Sequence, residues 1–235
     1  MRTLIASLVL TALSSTMAIS AEVQQRPAVV ELFTSEGCSS CPPAEAYLGE
    51  LAQRPDVLAL AFHVDYWDGL GWRDRFVIPE ATPRQRGYAR SLGLSSIYTP
   101  QVVIDGTGDF VGSDRVSIVR ALHASRDGVP VQIAVHEGSL AIDLGAETLS
   151  RASDVTLIAF ERSAVSSIGR GENSGRTLNE YNIVRAVRPL GHYSAGGQVF
   201  HVDLSSLPKD ATDVAVIVQE LGQRAVIGAA RLSIR

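Results

Sequence analysis

Residues 28–64 read AVVELFTSEGCSSCPPAEAYLGELAQRPDVLALAFHV, and this stretch decides the fold. Its two ends, residues 28–33 and 57–64, are apolar runs with the length and composition of buried strands. Between them, residues 44–52 place apolar side chains at helical spacing, and the prolines just before suit a first helical turn. A strand, a helix and a strand in this order predict a βαβ unit with parallel strands.

Two cysteines, Cys38 and Cys41, lie at the turn between the first strand and the helix. A disulfide between residues three apart closes a very small loop and contributes little chain entropy, so the pair suits redox chemistry or metal binding better than architecture. Unpaired N–H groups at a helix N-terminus stabilise a thiolate, which is the nucleophile in thiol–disulfide exchange. We therefore expect Cys38 to be an exposed nucleophile and Cys41 to resolve the mixed disulfide.

Thr99 and Pro100 provide a second indicator of the same fold. They follow a predicted helix at roughly 83–92 and precede a predicted hairpin with strands at 101–104 and 109–111. A thioredoxin fold places a cis-proline opposite the dithiol at this point, and X-Pro bonds adopt the cis form at modest cost. We expect the bond to Pro100 to be cis and Thr99 to offer its backbone to a substrate peptide.

These motifs resemble the DUF1223 family of secreted, thioredoxin-like bacterial proteins. The segments that carry the resemblance are Glu31–Pro43, His63–Asp68, Leu70–Trp72, Tyr98–Gln101, Gly171–Asn173, Gly175–Leu178 and Tyr181–Asn182. The resemblance implies a thioredoxin-like domain followed by a β-rich region. It implies no established substrate.

The second half of the chain has a different pattern. From Pro130 onward, short segments of alternating polarity are separated by turn residues, which predicts a sandwich-like β unit. We therefore predict an α/β chain with a signal peptide at 1–21, a thioredoxin-like domain at 26–127 and a β-rich C-terminal domain at 130–235.

The N-terminus has the features of a signal peptide: a positive start, an apolar stretch at 4–13 and small residues at 18–20. Cleavage predicts a periplasmic or secreted chain, in a compartment where a disulfide is the resting state. No later segment approaches ~20 apolar residues, so no membrane span is expected after cleavage. The net charge of −4 gives no support to nucleic-acid binding. The oligomeric state cannot be inferred from the sequence.

His63 and Asp65 follow the second strand, at the edge where open sheets often carry functional side chains. His63 is either a proton carrier or metal ligand beside the dithiol, or a residue that holds the loop by bonding to Asp65 or to backbone; we favour the second interpretation. Trp67 and Trp72, in the long connection that follows, form either a peptide-docking lid or the buried anchors of an ordered loop.

A group of polar residues in the second half is interpreted as a seam that docks the two domains, with a partner site as the alternative. Its members are Glu161, Arg170, Glu172, Asn173, Arg176 and Tyr181.

The sequence is compatible with three functions. The first is a thiol–disulfide oxidoreductase without a cofactor, in which Cys38, Cys41, Thr99 and Pro100 act on protein thiols or disulfides. The second is a copper-binding protein in which Cys38, Cys41 and His63 form a soft S/N site suited to copper(I). The third is an interaction domain with an inert disulfide.

Overall fold

The computed structural model describes residues 25–147, 151–193 and 195–235. The predicted signal peptide at 1–21 lies outside the described residues. The fold is mixed α/β, with three α-helices, eleven strands and one short 3-10 helix at Leu204–Ser206 among those residues. In chain order the α-helices and strands are β1 (Ala28–Thr34), α1 (Pro42–Ala52), β2 (Val57–His63), α2 (Ala81–Leu92), β3 (Gln101–Ile104), β4 (Gly108–Val111), α3 (Arg115–Leu122), β5 (Val131–His136), β6 (Ser139–Leu144), β7 (Ser153–Ser167), β8 (Thr177–Tyr193), β9 (Gln198–Asp203), β10 (Asp213–Glu220) and β11 (Val226–Ser233).

One large sheet runs through both halves of the chain. Its strand order is β11-β10-β7-β8-β2-β1-β3-β4, while β5, β6 and β9 form a second sheet of three strands. Strands β1 and β2 are parallel, as the βαβ pattern predicts, and β3 and β4 form the predicted antiparallel hairpin. The two halves meet where β8 pairs with β2 through Ala61 and Ile183.

The apolar core has three parts because strand side chains alternate between faces. On one face of β1, Val30 and Leu32 pack with α1 and α3. On the other face, Val29 and Phe33 pack with α2 and with side chains from β7, β10 and β11. The third part lies between the three-stranded sheet and the β7–β10 part of the large sheet. All seven residues of β1 are buried, which is why its sequence is a nearly continuous apolar run.

Strands β7 and β8 extend far beyond the short strands expected at 155–160 and 183–187. They have 15 and 17 residues and pair along almost their whole length, so they form a long hairpin. The extension escapes apolar pattern analysis because its inward positions carry polar side chains: Glu180 and Asn182 are buried on β8. The Asn182 side chain donates to the Ala59 carbonyl of β2, 2.8 Å away, and so joins the hairpin to the first half.

Helix α1 packs against this hairpin at Gly49. A Cβ atom added at Gly49 would lie 2.7 Å from the ring of Tyr181 on β8. A side chain at position 49 therefore requires the Tyr181 ring, or the helix itself, to shift.

We predict that Gly49→Ala lowers the free energy of unfolding by about 1–3 kcal/mol, the usual cost of overpacking, although alanine favours a helix. Denaturant unfolding measures the effect, with Gly69→Ala as the control because a Cβ there meets nothing within 4 Å. Equal stability of the two variants would contradict the close packing of α1 on Tyr181.

Candidate functional site

Cys38 and Cys41 form a disulfide at the turn between β1 and α1, with their Cα atoms 5.4 Å apart. Cys41 is the N-cap residue of α1, and prolines 42 and 43 occupy the first helical positions. Both cysteines have an exposed fraction of 0%. This differs from the expected exposed Cys38, because other parts of the chain cover the disulfide.

The tip of the β7–β8 hairpin forms this cover. We call residues 168–176 the cover loop. The buried side chain of Asn173 donates two hydrogen bonds, to the carbonyl oxygens of Glu36 and Cys38, each 2.9 Å long. Beside it, the exposed Glu172 carboxylate accepts from the Ser39 backbone N–H at 3.2 Å and from its hydroxyl at 2.6 Å. The cover loop thus closes over the cysteine turn, although Asn173 and Cys38 are 135 residues apart in the sequence.

The segment after β2 supports both the cysteine turn and the cover loop. Trp72 packs against Gly171 of the cover loop and donates its indole N–H to the Glu36 carboxylate at 2.7 Å. Trp67 lies against Gly37 and donates to the Thr99 hydroxyl at 2.8 Å. The Trp rings are half-buried, so this segment is an ordered support for the cysteine turn and reaches the Thr99–Pro100 loop.

The bond between Thr99 and Pro100 is cis, as the sequence analysis expects. Pro100 is buried, and Gly112 lies between it and Ala44 of α1, so that a Cβ at Gly112 would be 3.0 Å from Pro100 and 2.8 Å from Ala44. The Thr99–Pro100 loop therefore lies on the α1 side of the sheet, and Gly112 separates it from the start of this helix, which Cys41 caps.

His63 does not bond to Asp65, which instead accepts from the Thr82 hydroxyl at 2.6 Å. The fully buried His63 ring bonds to Asp74 through Nδ1 at 2.7 Å, and its Nε2 lies 3.9 Å from the Glu180 carboxylate. Both ring nitrogens therefore face carboxylates. Within the described part of the chain, no group of three His, Cys, Asp or Glu side chains is arranged to hold a metal ion.

His63 belongs to a buried polar cluster, which we define as Glu45, His63, Asp74 and Glu180. Glu45 lies on α1 one turn after Cys41 and accepts from the Thr34 hydroxyl. Among the described residues, no group donates a hydrogen bond to either oxygen of the Glu180 carboxyl. The Glu45 carboxyl is a close neighbour of Glu180. Two neighbouring buried carboxyl groups cannot both ionise cheaply, so at least one of them stays protonated near neutral pH.

The pKa values of the buried cluster follow from burial and from these contacts. Burial and the adjacent Glu45 carboxyl raise the pKa of Glu180 to about 9. Burial also raises the pKa of Glu45. For His63, burial opposes protonation, but Asp74, Glu180 and Glu45 together outweigh it and raise the pKa to about 9. Near neutral pH the cluster therefore holds protons that the unfolded chain would release.

The sequence singles out the cysteines, Thr99 and Pro100 as site residues, but it gives no sign that Glu45 and Glu180 meet or that Asn173 binds the cysteine turn. Of the six polar residues interpreted as a seam, Asn173 and Glu172 contact the cysteine turn directly. Arg176 supports Asn173 by donating to its Oδ1 at 3.1 Å. The available signal was the polar GEN triplet at 171–173, whose partners are more than 130 residues away.

Comparisons with known proteins agree with this architecture. A family model described as "Protein of unknown function (DUF1223)" matches residues 29–219, and the chain belongs to this family. The X-ray crystal structure of protein AGR_C_4864 from Agrobacterium tumefaciens is 32% identical in sequence and superimposes with a TM-score of 0.79. The match covers 90% of this chain and 96% of that one. No functionally curated protein matches the chain.

The described helices include none that is long and apolar enough to cross a membrane.

We predict that the protein loses stability as the pH rises from 6 to 9. The folded-state pKa values of His63 and Glu180, about 9, exceed the ordinary values of 6.5 and 4.5. The stabilisation is therefore complete below the ordinary values and is lost as the pH rises through 9. Each pH unit over which the folded state holds one extra proton costs up to about 1.4 kcal/mol.

Denaturant unfolding at several pH values tests this. Glu180→Gln keeps the shape of the neutral acid, so its unfolding free energy should decline less with pH. The exposed Glu137→Gln serves as the control and should behave like the wild type. If Glu180→Gln loses stability as steeply as the wild type, the proton is not held at Glu180.

A second prediction concerns the cover loop. Asn173→Ala removes two hydrogen bonds from the cover loop to buried carbonyl groups. If the closed cover loop loses about 1.4 kcal/mol of stability, the loop opens tenfold more often. We expect a phosphine reductant to reduce the disulfide about tenfold faster in this variant. Asn179→Ala, an exposed position on the same hairpin, is the matched control. Equal reduction rates in the two variants would show that the cover loop does not control access.

Proposed function

We propose that this DUF1223 protein is an exported thiol–disulfide oxidoreductase and that Cys38 and Cys41 are its redox centre. The observation that carries the proposal is the position of the disulfide, at the turn from a central strand into the first turn of α1. A disulfide that closes so short a loop adds little chain-entropy stabilisation. The cover over it is held by a few hydrogen bonds, and we propose that its opening gives substrates access to the disulfide.

The topology supports a thioredoxin-like assignment for residues 28–122. The strand order β2-β1-β3-β4, with β1 and β2 parallel and β3 antiparallel to β1, has the arrangement expected from the βαβ pattern and the Thr99–Pro100 hairpin. The β-rich second half then extends the same sheet and supplies the cover loop. Export is proposed from the N-terminal sequence, and the disulfide is compatible with an oxidising compartment.

The exchange reaction proceeds through a mixed disulfide. A substrate thiolate attacks the Sγ of Cys38, the bond to Cys41 breaks, and Cys41 leaves as a thiolate that takes up a proton. A second substrate thiolate then attacks the substrate sulfur bound to Cys38, so the substrate departs as a disulfide and Cys38 is protonated. Two electrons pass to the protein, and the same steps in reverse reduce a substrate disulfide.

The buried cluster is suited to supply the proton for Cys41. Cys41 is fully buried, and a thiolate left there without a proton or partner would be costly. Glu45 lies one helical turn away, and its backbone N–H donates to the Cys41 carbonyl at 3.1 Å. Glu45 thus lies on the same first turns of α1 as Cys41, and we propose that the buried cluster to which it belongs is the proton source for this thiolate. In the reverse direction, the same cluster accepts the proton.

Trapping tests the proposal directly. In Cys41→Ser the resolving thiol is lost, so Cys38 should accumulate mixed disulfides with protein substrates, visible as reductant-sensitive adducts on non-reducing gels. Cys38→Ser is the matched control and should trap nothing. If Cys41→Ser yields no adducts where a known oxidoreductase variant traps its own substrates, the protein is not an oxidoreductase.

A further inference from the structure

The start of α1 offers a Cys38 thiolate unusually few hydrogen-bond donors. Prolines 42 and 43 occupy the first two helical positions and have no N–H groups. The next N–H groups, those of Ala44 and Glu45, both donate to the Cys41 carbonyl. The Cys41 N–H donates to the Cys38 carbonyl at 3.2 Å. The donors that make a helix N-terminus attractive to an anion are therefore missing or occupied.

Within the cysteine turn, Glu172 occupies the backbone N–H of Ser39 and adds a negative charge. Its carboxylate accepts both the N–H and the hydroxyl of Ser39, the residue next to Cys38. These hydrogen bonds hold the pKa of Glu172 below its ordinary value, so the charge is present at neutral pH. The Ser40 hydroxyl, 3.4 Å from the Cys38 Sγ, is the one side-chain donor recorded at the sulfur within the described residues.

Two other carboxylates beside the cysteine turn are already engaged by other donors. Glu36 accepts from Trp72, and Asp74 accepts from His63 and from the Glu36 N–H. On the cover loop, the Arg176 guanidinium donates to the Oδ1 of Asn173. Glu172 is therefore the carboxylate that directly binds the dipeptide between the cysteines.

We propose that the Cys38–Cys41 couple works as an electron donor, a reductant of protein disulfides, and that Glu172 is the positioning residue that sets this direction. The inference rests on the proposed function and adds the direction of electron flow. A reduced form whose thiolate is poorly stabilised gives up its electrons readily, whereas a strong oxidant has a stabilised reduced form.

The protein reduces a substrate disulfide in two exchange steps. The Cys38 thiolate attacks a substrate disulfide, forms a mixed disulfide and releases one substrate thiolate. Cys41, deprotonated by the Glu45–Glu180 pair, then attacks the Cys38 Sγ and releases the second substrate thiolate. The substrate gains two electrons and its thiolates take up two protons, while the protein returns to the disulfide form. A thiol reductant, either a dithiol protein or a small thiol, must restore the dithiol between cycles.

Thiolate absorbance near 240 nm, recorded against pH for the fully reduced protein, tests the role of Glu172. We expect Glu172→Gln to raise the ionisation constant of the first thiol about threefold, which moves the midpoint down by about half a pH unit, because a neighbouring negative charge is removed. Glu172→Asp keeps the charge and should leave the midpoint close to that of the wild type. The exposed Glu137→Gln controls for the change in net charge.

The salt dependence separates an electrostatic role from a structural one. The difference between the wild type and Glu172→Gln should shrink in 1 M salt, where exposed charges are screened within about 3 Å. A midpoint unchanged by Glu172→Gln at low salt, or a difference that persists in 1 M salt, would overturn the role of Glu172. A wild-type thiol already largely ionised at pH 7 would overturn the donor direction. None of these measurements depends on substrate trapping. The donor direction and the role of Glu172 can therefore be overturned while the trapping experiment still supports an oxidoreductase.

Discussion

The two hydrogen bonds from the Asn173 amide to the carbonyl groups of Glu36 and Cys38 are the contact on which the site depends. They join the tip of a hairpin in the second half of the chain to the cysteine turn in the first half. Because Asn173 is buried, its amide depends on hydrogen bonds to protein groups, and these two bonds satisfy it. The disulfide is covered, and the Ser39 donors are held by Glu172, because Asn173 places the cover loop there.

The same hairpin explains the charged groups in the interior. Strand β8 passes beside α1 and brings Glu180 against Glu45, which sequence distance alone would never suggest. Burial of two carboxyl groups is costly unless one stays protonated, and His63 with Asp74 completes a cluster that holds its protons near neutral pH. A fully buried disulfide needs a proton donor when it is reduced, and we propose this cluster for that role because its member Glu45 lies one helical turn after Cys41. Cover loop and buried cluster are thus two consequences of one long hairpin.

Much of this could be predicted from local sequence. The apolar run at Ala28–Thr34, the helix after Cys41 and the hairpin after Pro100 are set by periodicity and turn chemistry. What could not be predicted depends on contacts between residues more than 100 positions apart. Strand β8 carries Glu180 and Asn182 at buried positions where a strand usually has apolar side chains, so the sequence pattern predicts strands shorter than those in the structure. Likewise, Cys38 was expected to be exposed because nothing near it in sequence indicates the cover loop.

The reduction potential of the Cys38–Cys41 couple tests the central claim, that this covered disulfide is a working redox centre. The protein would be equilibrated with dithiothreitol buffers of known composition, and its thiols would be quantified by alkylation. We predict reversible exchange at a potential between about −220 and −300 mV, in the range of reducing thiol proteins. A potential below about −300 mV would be typical of a structural disulfide that resists reduction, and would contradict the claim.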